Sequence, residues 1–278
     1  MNGTVHYSFD YAQQIHFPSN PMQPGPIYFK TPRKCGIFGV MCEGAGHQVN
    51  YLIDEASTVG KGANSTISYV HHYLETHGLG ETHAYLHADN CTGQNKNNYF
   101  LWYFAWRVIK KLHQSINYSF LIAGHTKFAP DRCFGLIKRE YKVNFISSLY
   151  EFAGMVDCCS TTGVNKAQLV GTHDGQEIVP VYDWAAFLLE YFTKFPSIKK
   201  YHHFRFSTDE LGKVYFKEHQ FSQERSLMLL KDPTVMPPLV LPCKLRPEGL
   251  SQERKRYLYR EIRPFCKYGT EDLVAPAP

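Results

Sequence analysis

His87-Ala88-Asp89-Asn90-Cys91-Thr92-Gly93-Gln94-Asn95-Lys96-Asn97-Asn98 is the stretch on which the reading of the fold turns. The apolar run Ala84-Tyr85-Leu86 leads into it as a strand, and the aromatic run Tyr99 to Leu112 leads out as a helix. An aspartate therefore stands where a strand ends, followed by a polar turn and a helix. Loops beyond strand ends in α/β folds are open to ligands, so carboxylates are commonly displayed there.

Working outward, Val5 to Asp10 alternates apolar and polar residues, as a half-buried strand does. Pro18, Pro21, Pro24, Gly25 and Pro26 mark a loop. Ile27 to Lys30, Gly36 to Cys42 and Gln48 to Asp54 read as strand pieces, with a turn at Gly44-Ala45-Gly46. Asn64 is placed to cap a helix over Ser65 to Thr76. After Asp89 come a helix from Asn98, a strand over Tyr118 to Ala123, and a helix from Pro130 to about Lys142. Three strands joined by short turns predict an antiparallel meander, and later strands separated by helices add in parallel. The expected fold class is α/β, a mixed five-stranded sheet flanked by helices.

Beyond residue 145 the pattern is weaker. Ser147 to Cys159 and Trp184 to Phe195 read as helices, and Tyr201 to Phe206 with Lys213 to Phe216 reads as a hairpin around Gly212. A proline-rich stretch from Pro237 to Pro247 precedes a basic helix over Ser251 to Ile262. The expected organisation is a core over 1–145, a C-terminal α+β extension over 146–270 and a disordered tail over 271–278.

The chain has 278 residues, of which 44% are hydrophobic and 20% charged, enough for a well-buried core. A formal charge of +5 permits a nucleic-acid partner without requiring one. The eight cysteines form no CxxC pair and no zinc-finger spacing. No secretory apolar region and no run of eighteen apolar residues occurs, so a reducing, intracellular compartment with free thiols and no membrane is expected.

Three aspartates occupy the telling positions. Asp10 lies in or just after the first strand, Asp89 ends the fourth, and Asp131 opens the helix after the fifth. If the first and fourth strands are neighbours, Asp10 and Asp89 meet at one end, and the following helix brings Asp131 over the same edge. Clustered carboxylates repel unless divalent cations neutralise them, and two ions ~3.5–4 Å apart stabilise the oxygens of phosphoryl transfer. Oxygen ligands favour Mg²⁺ or Mn²⁺ over zinc. Each residue also has a plainer role open to it: a solvent-facing strand residue for Asp10, a turn residue for Asp89, a partner of the helix dipole for Asp131.

Glu55 and Glu140 are rival acids, ranked below Asp131 because one ends a strand and the other lies among Lys138, Arg139 and Lys142. Asn90, Gln94, Asn95 and Lys96 are candidates for phosphate or base contact, with turn and cap formation as the alternative. His125 and Lys127 are candidates for substrate contact, with a packed loop histidine as the alternative. His83 and His87 share no helix face, which rejects a zinc site. Basic runs such as Lys199-Lys200-Arg205 usually form solvated faces, though Tyr201, His202, His203 and Phe204 leave strand-borne nucleic-acid contact open.

The strand order and acid placement resemble an RNase H-like core over about residues 3–145, with Asp10, Asp89 and Asp131 at that superfamily's metal-binding positions. Phe9-Asp10-Tyr11-Ala12-Gln13, Asp89 to Asn97, and Gly124-His125-Thr126 with Asp131 and Phe134-Gly135 resemble a family of transposon-derived animal proteins, mostly uncharacterised. That resemblance implies metal-dependent nuclease or DDE/DDD transposase chemistry on DNA, or on an RNA–DNA hybrid. A metal-activated water cuts a phosphodiester, and the freed 3′-hydroxyl attacks target DNA. It implies a nuclear rather than cytoplasmic setting and allows an oligomer. Relatives usually carry an upstream DNA-binding region, whereas here the first core strand starts near Met1; a core fragment or a domesticated derivative is expected. The alternative function is a non-catalytic nucleic-acid-binding or scaffold protein keeping the fold.

Overall fold

The computed structural model describes residues 3–121 and 128–278. Eleven strands are formed among these residues. They are β1 (Thr4–Phe17), β2 (Arg33–Cys42), β3 (His47–Asp54), β4 (His83–Ala88), β5 (Ser115–Phe120), β6 (Asn165–Leu169), β7 (Val181–Tyr182), β8 (His203–Ser207), β9 (Lys213–Lys217), β10 (Arg225–Met228) and β11 (Lys244–Leu245). The helices are α1 (Ala63–Thr76), α2 (Asn98–Ile109), α3 (Ala129–Val143), α4 (Leu149–Cys158), α5 (Trp184–Leu189), α6 (Gln252–Tyr257) and α7 (Glu271–Val274).

Nine strands make one mixed sheet in the order β10-β9-β8-β5-β4-β1-β2-β3-β6. β1, β2 and β3 form the antiparallel meander, and β4 and β5 add in parallel beside β1. The sheet does not stop at five strands. β6 pairs in parallel with β3, and β8, β9 and β10 continue antiparallel from β5. Strands from the expected extension therefore pair with both outer strands of the expected core.

Alternation along each strand sorts side chains between two apolar layers. Tyr7, Phe9, Leu86, Ala88, Ile116 and Tyr118 face α1, α2 and α5, where Trp102, Trp106 and Trp184 are fully buried. Cys35, Ile37 and Leu52 face the opposite way, against Ile137 of α3 and Phe152 and Val156 of α4. β1 contributes to both layers because its pairing with β2 slips between Ala12 and Ile15. One extra residue there reverses the side-chain alternation, so Ile15 and Phe17 join the second layer. That bulge is why the alternation read from sequence ended at Asp10 although the strand runs on to Phe17.

Several local expectations are corrected. Gly25–Phe29, expected in part as strand, is a 3₁₀ turn with Pro26 at its start. Asn64 lies inside α1, which Gly62 precedes; its side chain bonds Asp183 and the Ala185 N–H, tying α1 to α5. The tail is not disordered throughout: α7 forms, and Val274 and Ala275 are fully buried. Arg33 holds them by donating to the carbonyls of Leu273 and Val274. No helix among the described residues is long and apolar enough to cross a membrane.

Candidate functional site

Phe9 and Ala88 are register partners on the parallel strands β1 and β4, and both face the α1–α2 layer. The next residue on each chain, Asp10 and Asp89, therefore turns to the opposite face at the same level of the sheet. Asp10 is half-buried, and its Oδ1 accepts the N–H of Tyr11 at 2.8 Å. Burial, then the negative charge of Asp89, raises its carboxyl from an ordinary 3.8 to about 7; Asp131 adds a smaller push in the same direction. The three aspartates thus share one electrostatic environment, with Asp131 in the exposed first turn of α3.

The turn after β4 is built around Asp89. Its Oδ1 accepts the Cys91 N–H at 3.1 Å and an N–H of the Asn95 side chain. Asn90 donates to the Leu121 carbonyl, fastening the turn to the end of β5. Lys96 is buried; its ammonium donates to Asn90 Oδ1 at 3.0 Å and to the Lys199 carbonyl at 3.1 Å, over the Phe120 ring. Burial brings its pKa down to about 8. Asn97 caps α2 by accepting the Phe100 N–H, and Gln94 is half-buried in the same turn. Asn90, Asn95 and Lys96 are thus committed to shaping the turn rather than left free at a surface. His125 and Lys127 lie outside the described residues.

The lower-ranked acids stand elsewhere. Glu55 pairs with Arg254 at 2.7 Å and accepts the Lys34 N–H. Glu140 pairs with Arg139 near the far end of α3.

What seats α3 was not read from sequence. Gln48 donates to Asn50, Asn50 to Asn165, and Asn165 to the Cys133 carbonyl of α3, all buried. Polar residues alternating at 48 and 50 on an otherwise apolar strand were the signal. A groove of about 450 Å³ runs between the second half of β1 and α3, lined by Gln13, His16, Asp131, Lys138 and Tyr141 among others.

The donor set is all oxygen, which suits a hard divalent cation. The negative charge of Asp89 close enough to help raise the Asp10 carboxyl is a second point of fit. Asn95 Oδ1, buried with no hydrogen-bond partner among the described residues, is a third. Against these, no group of three or more His, Cys, Asp or Glu is gathered closely enough to hold a metal among the described residues. Asp10 and Asp89 form the pair, and Asp131 stands exposed in the first turn of α3.

A family model for a domain of unknown function, DUF7869, matches residues 30–224. No curated protein and no solved structure matches the chain.

Proposed function

The chain belongs to the DUF7869 family, and for this member we propose a metal-dependent nuclease or polynucleotidyl transferase with an RNase H-like, transposon-derived core that acts on DNA in the nucleus. The observation that carries this reading is the register of β1 and β4, which sets Asp10 and Asp89 side by side on one face, with α3 bringing Asp131 within electrostatic reach. The antiparallel β1–β2–β3 followed by parallel β4 and β5 is the strand arrangement expected of such a core.

Asp10, Asp89 and Asp131 would hold Mg²⁺ or Mn²⁺, which supplies Lewis-acid stabilisation to a phosphodiester when bound. The rest falls to the chain. Asn95 and the Cys91 N–H fix the Asp89 carboxylate, and the Tyr11 N–H fixes that of Asp10. Near neutral pH, Asp10 is poised to give up its proton when a cation arrives.

The absence of a three-residue metal cluster among the described residues favours the second reading, a non-catalytic nucleic-acid-binding or scaffold protein that keeps the fold. Nicking of supercoiled plasmid with Mg²⁺ or Mn²⁺ decides between them. The first reading expects nicking by the wild type and none by Asp89→Asn with its fold intact. A folded wild type that never nicks DNA sinks it, and equal nicking by the variant moves the site elsewhere.

A further inference from the structure

The helices on the Asp10 face, α3 and α4, lie over β1, β2, β3 and β6. The other half of that face, over β4, β5, β8 and β9, carries a distinct pattern. Read across the strands in register, one row is His6, Tyr85, Asn117, Arg205 and Tyr215. The next row is Ser8, His87, Ser119, His203 and Lys217. Neither row holds a carboxylate or an aliphatic side chain, although the same strands turn Leu86, Ile116, Phe204 and Val214 to the core. A sheet face awaiting an apolar partner would show the reverse composition.

The rings on this face stand beside one another across neighbouring strands. His6 stacks on Tyr85 with centroids 4.7 Å apart and planes within 7°. Tyr85 is 37% exposed, so part of its ring reaches solvent beside His6. The Arg205 guanidinium lies 4.0 Å over the Tyr215 ring. Lys217 pairs with no carboxylate among the described residues, while Glu224 and Glu43 at the rim bond Arg205 and Ser8.

We infer that this half of the face, over which no helix lies among the described residues, is a platform for unpaired DNA, whose bases stack against Tyr85, His6 and Tyr215 while Lys217, and Arg205 in exchange for its Glu224 partner, meet its phosphates. Stacking on aromatic rings tolerates any base but needs bases freed from pairing. A duplex offers mainly phosphates, and a face with so few cations grips those weakly. Tyr85 and Tyr215 are three strand spacings apart, ~14 Å, so more than one base fits between them. Asp10 follows Ser8 by two residues on β1, and Asp89 follows His87 by two residues just past the end of β4, so the platform leads to the carboxylates. That last step rests on the nuclease reading; the binding does not.

The test is fluorescence anisotropy of the full chain with a labelled single strand of about 12 nucleotides, in EDTA. The platform requires tighter binding of the single strand than of duplex of equal length. Tyr85→Ala with Tyr215→Ala should weaken it by about tenfold or more, and Arg205→Ala with Lys217→Ala should lower the salt slope by ~1–2. Lys255→Ala, on α6, should change neither. Should the ring variant fail to fold, photocrosslinking of a bromodeoxyuridine strand to the wild type must map to β4 and β9. Duplex preference, binding of RNA alone, full affinity in a folded ring variant, or crosslinks elsewhere overturns the inference. Asp89→Asn should bind as the wild type does, so lost nicking with retained binding counts only against the nuclease reading.

Discussion

Gly39 lies directly beneath the ring of Phe134: a methyl group at Gly39 would stand 2.8 Å from Phe134 Cε1 and Cζ and 2.6 Å from Gln48 Nε2. Gly39 is also the register partner of Asp10. The missing side chain on β2 is therefore what lets α3 settle close to the strand beside Asp10. Gly39→Ala should destabilise the protein by about 1–3 kcal/mol through overpacking. Phe134→Ala alone leaves a void, but in the double variant the clash with the ring is gone and only that with the Gln48 amide remains. Urea unfolding of the four proteins should show a coupling in which the two losses are less than additive.

Asp10 gives a pH signature. Its folded pKa, about 7, lies above its ordinary 3.8, so the folded state keeps a proton that the unfolded state has lost between those values. Its contribution to stability is full below pH ~4 and falls away as pH rises towards 7. After allowance for partial exposure the loss is on the order of 2 kcal/mol. Asp10→Asn should remove this trend and raise the urea midpoint at pH 8 relative to wild type. Millimolar Mg²⁺ should raise the wild-type midpoint at pH 8 and leave that of the variant unchanged. A wild-type midpoint flat between pH 4 and 8 contradicts the account.

Arg33 and Asp54 form an ion pair at 2.6 Å in which both side chains are fully buried. Arg33 also donates to the carbonyls of His173, Leu273 and Val274, joining three distant parts of the chain. Arg33→Met strands the Asp54 carboxylate and should cost about 3–5 kcal/mol. Adding Asp54→Asn should return part of that loss, measured by chemical denaturation.

Lys96 connects the Asp89 turn with residue 199. Lys96→Met keeps the apolar stem and deletes both hydrogen bonds. Burial of an ammonium offsets much of what those bonds contribute, so global stability should change by only about 1 kcal/mol. The local effect should be larger: amide exchange at 90–96 should accelerate while that of β4 holds. Uniform acceleration across the sheet would assign Lys96 to the global core instead.

The strand–helix order from β1 to α3 was legible because each element there is long and carries a clean period. The neighbouring of Asp10 and Asp89 needed one thing more, that the first and fourth strands lie side by side, and the pairing of β1 with β4 supplies it. The outer strands were not legible as parts of the same sheet. Asn165 to Leu169 is a short run with mixed polarity, and its partner β3 lies over a hundred residues earlier. Periodicity reports which side of an element is apolar, not which distant edge it joins. Lys96 looked like a free cation in a polar turn, because nothing local signals that Phe120 and residue 199 close over it. The buried end at Val274 and Ala275 was obscured by its alanines and prolines, since the partner that orders it is Arg33.

The pairing of β6 with β3 and of β8 with β5 bears on how this protein can be dissected. A piece ending at residue 145 would bare the hydrogen-bonding edges of two interior strands and uncover the aromatic contact that Phe206 makes with Phe104. Open edges of that kind recruit other chains. Any attempt to isolate a smaller fragment should therefore keep β10, which closes one end of the sheet, and the C-terminal segment through 275, whose Leu258, Ile262, Val274 and Ala275 are buried in the second apolar layer, and should treat aggregation of shorter pieces as an outcome of severed strands and bared core.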